Sequence, residues 1–94
     1  MRGLKGKRVL ITGGAGGIGT ATAGRFIEEG SRVAVIDRDE AASQRLRKAL
    51  PGLELILSAE LSDPASVAGA FDALDRKFNG LDILINNAGI SIRH

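Results

Sequence analysis

Between residues 12 and 19 the chain reads Thr12-Gly13-Gly14-Ala15-Gly16-Gly17-Ile18-Gly19, and five of these eight residues are glycine. Ahead of the cluster stands a short apolar run, Arg8-Val9-Leu10-Ile11-Thr12, and behind it Ile18 to Glu29 has a helical pattern. A glycine cluster at a strand-to-helix junction limits the fold severely. The backbone must turn sharply, and nothing projects over the first turn of the helix. The unpaired N–H groups and the positive dipole end of that helix can then face an anion such as a pyrophosphate, which side chains would hold away. Gly14, Gly16 and Gly19 also satisfy the G-x-G-x-x-G spacing. By itself that spacing is weak evidence, and a flexible glycine-rich turn is the competing reading.

The rest of the chain repeats the alternation. In the first helical segment Ile18, Thr22 and Phe26 recur every four residues and predict one face, with Gly30 as the stop. Arg32 to Ile36 reads as a second strand. Asp39 to Leu50 follows as a helix with Ala42, Leu46, Ala49 and Leu50 on one side, broken by Pro51-Gly52. Leu53 to Leu57 is a third strand, and Asp63-Pro64 marks a cap and first helical position. Val67, Ala70, Phe71, Leu74 and Phe78 form the apolar stripe of the third helix, Asn79-Gly80 ends it, and Leu81 to Ile85 is a fourth strand. The order βαβαβαβ with nearly continuous apolar strands predicts an α/β domain whose parallel sheet is covered on both faces. Right-handed crossovers and a doubly wound order 3-2-1-4 put a crevice at the carboxyl ends of strands 1 and 4.

Composition removes several classes of function. A net charge of +2 is too balanced to argue for nucleic acid or an acidic membrane surface. The absence of Trp and Tyr argues against base-stacking platforms. With no cysteine there is no disulfide framework or thiolate metal site, which fits a reducing cytoplasm. The single histidine, His94, offers no metal cluster. The apolar runs are of strand length, and no signal-peptide pattern follows Met1.

Asp37 ends the second strand, eighteen residues beyond Gly19. In a dinucleotide-binding βαβ unit an acid there accepts hydrogen bonds from the adenosine ribose hydroxyls and repels the 2′-phosphate of NADP, so NAD is the expected cofactor and NADP the lesser choice. The competing reading is an N-cap for the helix that starts near Asp39. The neighbouring Arg38 carries a guanidinium able to pair with a 2′-phosphate, but next to Asp37 it is expected over the adenine or in solvent. No basic side chain stands inside the glycine loop.

Thr12-Gly13-x-x-x-Gly17-x-Gly19 together with Asn86-Asn87-Ala88-Gly89 resembles the short-chain dehydrogenase/reductase family, over about Gly6 to Ile90. The resemblance implies a Rossmann-like fold, partial here, and a set of cofactor contacts. Gly13, Gly16, Gly17, Ile18 and Gly19 would line the pyrophosphate, and Asp37 would hold the ribose. Glu60-Leu61 would flank the adenine, with Arg38 nearby. Asn87, Ala88 and Gly89 would run beside the riboses, and Thr12 and Asn86 would tie strand 1 to strand 4. Glu60 departs from the family's usual Asp and is one methylene longer; a solvated loop acid is the competing reading.

The family's catalytic Ser, Tyr-x-x-x-Lys and supporting Asn follow the Asn-Asn-Ala-Gly element, whereas these 94 residues contain no tyrosine, and Ser91 lies too close to that element. No catalytic residue is therefore assigned. The expectation is one domain, residues 1–94, forming the NAD(H)-binding fragment of an alcohol/carbonyl oxidoreductase, cytoplasmic and homo-oligomeric. The alternative is a non-catalytic nucleotide-binding or self-associating half-Rossmann module. A flavin or methyl-donor site on the same scaffold is disfavoured by Asn-Asn-Ala-Gly.

Overall fold

The computed structural model describes residues 2–13, 17–60 and 62–87. A short 3-10 turn, Arg2–Leu4, precedes β1 (Arg8–Thr12), α1 (Gly17–Glu28), β2 (Arg32–Asp37), α2 (Glu40–Ala49), β3 (Leu55–Ser58), α3 (Pro64–Phe78) and β4 (Ile83–Asn86). All strand pairs are parallel, and the order across the sheet is β3-β2-β1-β4. This is the expected doubly wound arrangement.

The two faces of the sheet follow from side-chain alternation along a strand. Leu10, Ala34 and Ile36 point to one face and pack with Ala59 and with Ala70, Leu74 and Phe78 of α3. Val9, Ile11, Val33 and Val35 point to the other and meet Ala23 of α1 and Leu46 of α2, with Phe26, Ile27 and Leu50 at the margin. The central strands β1 and β2 are thus sealed on both sides. Each fully buried Val, Leu or Ile contributes roughly 1.5–3 kcal/mol by its removal from water.

Three helix faces differ from the periodicity. Ile18 is 74% exposed, and the sheet-facing side of α1 starts instead with the buried Gly19 and Ala23. Small residues allow the helix axis to approach the sheet, and a hydropathy pattern gives them little weight. In α2, Ser43 is buried with Ala42 and Leu46, while Ala49 faces solvent. In α3, Ala70, Leu74 and Phe78 are buried, but Phe71 is 37% exposed.

Helix ends follow local chemistry. Asp39 caps α2 by accepting from the Ala42 N–H, and Asp63 caps α3 by accepting from the Ala65 N–H ahead of Pro64. Asn79 closes α3 in the left-handed region at φ 55°, and Gly80 follows at φ 127°. The third and fourth strands begin two residues later than their apolar runs, because Leu53 and Leu81 pack on the core outside the paired segments.

Candidate functional site

The carboxyl ends of β1, β2 and β4 bring together residues that are distant in the chain. The Gly13 N–H donates to the Ile36 carbonyl at 2.8 Å, and Gly13 itself turns at φ 68°, a left-handed conformation that suits glycine. A Cβ placed on Gly17, at the start of α1, would meet nothing within 4 Å, so open space lies over the first turn of that helix. Ile18 projects outward beside it, and Gly19 is buried against the sheet. Of the glycine loop, Gly16 lies outside the described residues, as do Leu61, Ala88 and Gly89.

β4 is tied to β1 at the same end. Thr12 pairs in register with Asn86, and its hydroxyl donates to Asn86 Oδ1 at 2.9 Å. The Asn87 N–H donates to the Thr12 carbonyl at 3.1 Å. The side-chain amide nitrogen of Asn87 is buried, yet it has no hydrogen-bond partner among the described residues. A buried amide N–H₂ without an acceptor is costly, and such groups in folded proteins call for a ligand or water to complete them. The open space above Gly17, the left-handed turn at Gly13 and this unpaired amide fit a polar group seated across the strand ends.

Asp37 is the last residue of β2 and pairs with Ser58 of β3. Its Oδ1 accepts from the Asp39 N–H at 2.9 Å. The cap of α2 is Asp39, not Asp37, so the N-cap reading of Asp37 is not what the structure has. Arg38 is exposed and reaches Glu60, Nη1 to Oε2, at 3.3 Å. Glu60 in turn donates its N–H to the Ser66 hydroxyl at 3.0 Å. The Arg38–Glu60 pair and the Ser66 contact escaped the sequence reading. The first joins residues 22 apart on different loops, and no local pattern signals it.

A cavity of about 50 Å³ lies elsewhere, between α2 and β3, lined by Glu40, Ser43, Gln44, Arg47, Ile56 and Ser58. It includes none of the residues nominated from the sequence. Among the described residues no helix is long and apolar enough to cross a membrane.

A parallel sheet in the order 3-2-1-4, with a left-handed glycine after β1 and an acid closing β2, defines the class of doubly wound, Rossmann-type α/β folds. The short chain dehydrogenase family model matches residues 7–94, and the chain belongs to that family. It is 43% identical to the short chain dehydrogenase/reductase dpmpG of Macrophomina phaseolina, covering 96% of this chain and 54% of that protein. It is 35% identical to an NADP-dependent (R)-specific alcohol dehydrogenase of Lentilactobacillus kefiri, covering 95% of this chain and 36% of that one. Among solved structures, NAD+-bound xylitol dehydrogenase superposes with a TM-score of 0.81 at 31% identity, over 88% of this chain and 33% of the other. A 3-ketoacyl-(acyl-carrier-protein) reductase from Brucella melitensis complexed with NADH gives 0.77 at 37%, over 86% and 33%. The chain therefore spans about a third to about half the length of these proteins.

Proposed function

We propose that this chain is the NAD(H)-binding portion of a short-chain alcohol/carbonyl oxidoreductase, a single domain over residues 1–94, with hydride transfer carried by residues outside it. The observation that supports this most is the grouping of Gly13, Asp37 and the unpaired Asn87 amide at one end of the sheet, beside the open first turn of α1. Gly13, Gly16, Gly17, Ile18 and Gly19 would hold the pyrophosphate on backbone N–H groups at the helix N-terminus. Asp37 would accept from the adenosine ribose hydroxyls and disfavour a 2′-phosphate. Arg38, Glu60 and Leu61 would border the adenine. Asn87, Ala88 and Gly89 would run along the riboses, the Asn87 amide gaining the acceptor it lacks. The bound dinucleotide supplies the hydride donor or acceptor. The same reading makes the protein cytoplasmic and homo-oligomeric.

Calorimetric titration with NAD and with NADP tests it. NAD is expected to bind more tightly, and Asp37→Ala to narrow the difference by about tenfold, because it removes the carboxylate that repels the phosphate. Tighter NADP binding to the parent chain would overturn the NAD assignment, and no binding of either would overturn the cofactor site. The 94 residues alone are expected to turn over no alcohol or ketone, having no tyrosine to act as acid and base.

A second reading, a self-associating half-Rossmann module, draws on one observation. β4 is an edge of the described sheet, and its Leu84 is 54% exposed on the face that α3 covers elsewhere. Light scattering across a concentration series, with Leu84→Lys beside the parent, separates the two: concentration-dependent dimers lost in the variant favour the module.

A further inference from the structure

The strands β2 and β3 leave the sheet side by side, since Asp37 pairs with Ser58. The turns that follow are each pinned to a helix start. After β2, the Asp39 N–H donates to Asp37 Oδ1, and the Asp39 carboxylate caps α2. After β3, the Glu60 N–H donates to the Ser66 hydroxyl, and the Glu60 carbonyl accepts from the Asp63 N–H at 3.0 Å. The Ala59 N–H reaches back to the Asp37 carbonyl at 3.3 Å. Two fixed backbones thus present Arg38 and Glu60 to one another, and their side chains close the gap at 3.3 Å.

We infer that Glu60 is a specificity-determining positioning residue: it holds the Arg38 guanidinium toward the β3 exit and neutralises it, so that Arg38 is not available to the 2′-phosphate of NADP. This rests on the cofactor reading above and adds to it a second source of discrimination besides Asp37. The chemistry is a competition for one cation. A guanidinium pairs with a carboxylate or with a phosphate through the same fork of N–H donors, and a phosphate that arrives while the carboxylate is engaged must displace it. Arg38 is 75% exposed and its stem is long, so release from Glu60 would leave it able to swing over the ribose end of the site. The pair is exposed, and exposed pairs are weak, so the effect is a bias rather than a switch.

The test measures the ratio of NADP to NAD affinity by calorimetry at low ionic strength, where exposed charges are least screened. Glu60→Gln is expected to raise that ratio about fivefold, the upper range for loss of one exposed ion pair. Adding Arg38→Gln to Glu60→Gln is expected to remove the rise. Glu54→Gln is the control, because Glu54 pairs with Arg32 ahead of β3, at the opposite end of the sheet, and its loss changes the net charge equally. It should leave the ratio as in the parent. A parent chain that binds NAD, with no change of ratio in Glu60→Gln, would overturn this role and leave the cofactor site intact. An equal rise in the double variant would also overturn it, since Glu60 would then act on the phosphate by its own charge. A parent chain that binds neither nucleotide would remove the cofactor reading and this role together.

Discussion

The two ends of the parallel sheet are built on opposite terms. At the amino end the strands are locked by charge. Arg8 grips Asp82 through Nε at 2.9 Å and Nη2 at 3.1 Å, and the Arg8 N–H adds a bond to the same carboxylate at 2.8 Å. The third guanidinium nitrogen accepts no role in that fork; it donates to the Asn79 carbonyl at 2.7 Å, closing the C-terminal end of α3. Arg32 pairs with Glu54 at 2.9 Å and lies 4.9 Å over the Phe78 ring. At the carboxyl end β1 is tied by a hydroxyl–amide bond, Thr12 to Asn86, and by backbone bonds from Gly13 and Asn87; the Arg38–Glu60 ion pair there is exposed and longer, at 3.3 Å, and one buried amide has no partner among the described residues. Among the described residues, the amino end gathers bidentate and stacked arginine contacts, whereas the carboxyl end carries the buried Asn87 amide nitrogen without a partner. On the proposed cofactor reading, holding the fold together and binding fall to opposite ends of the strands.

The largest expected effect falls on the carboxyl end and on overall stability together. Gly19→Val puts a branched side chain between α1 and the sheet, where Gly19 is buried. Overpacking of this kind costs about 1–3 kcal/mol. Thermal unfolding is expected to fall by several degrees, and calorimetry to find nucleotide affinity lost. A folded variant with parental affinity would take the glycine loop out of the site.

Gly80→Ala tests the amino end separately. Gly80 sits at φ 127°, and a Cβ there would lie 2.5 Å from Arg8 Nη1. The guanidinium tip can move, but the backbone conformation is strained for any side chain, at about 1–3 kcal/mol. The expected result is a lower melting temperature with NAD affinity unchanged within twofold, which would show that the two ends act independently.

The smallest effect sharpens the electrostatic half of the comparison. Hydrogen bonds from Arg8, first from its side chain and then from its backbone N–H, hold the Asp82 carboxyl well below the usual carboxylate range. A carboxyl depressed on folding adds stability above its unfolded value, near pH 4, and that stability is lost as the pH falls further toward the folded value. Denaturant titrations should therefore show the parent losing stability below about pH 4 more steeply than Asp82→Asn, the two curves converging in acid.

Much of the fold was legible because each element carried its own signal. β1 begins and ends where its apolar run does, and α3 starts at Asp63-Pro64 and stops at Asn79-Gly80, as capping chemistry requires. The face of α1 is legible in part: Phe26 packs at the margin of the core, but the closest contact with the sheet is made by Gly19 and Ala23, whose small size leaves little trace in hydropathy, while the conspicuous Ile18 faces out. Of the candidate site, Gly13, Asp37 and Asn87 were readable as motif positions. The Arg38–Glu60 pair was not, since nothing in either loop specifies the length and direction of the other.

By itself the sequence determined the alternation of strand and helix, the caps and the glycine that follows β1, because these depend on periodicity and on residues within a few positions of one another; the order 3-2-1-4 followed from that alternation only through general rules of crossover handedness. Tertiary structure alone decided which carboxylate answers which arginine. Arg8 and Asp82 stand 74 residues apart and Arg38 and Glu60 stand 22 apart, and only the parallel register of β1 with β4 and of β2 with β3 brings their side chains within reach.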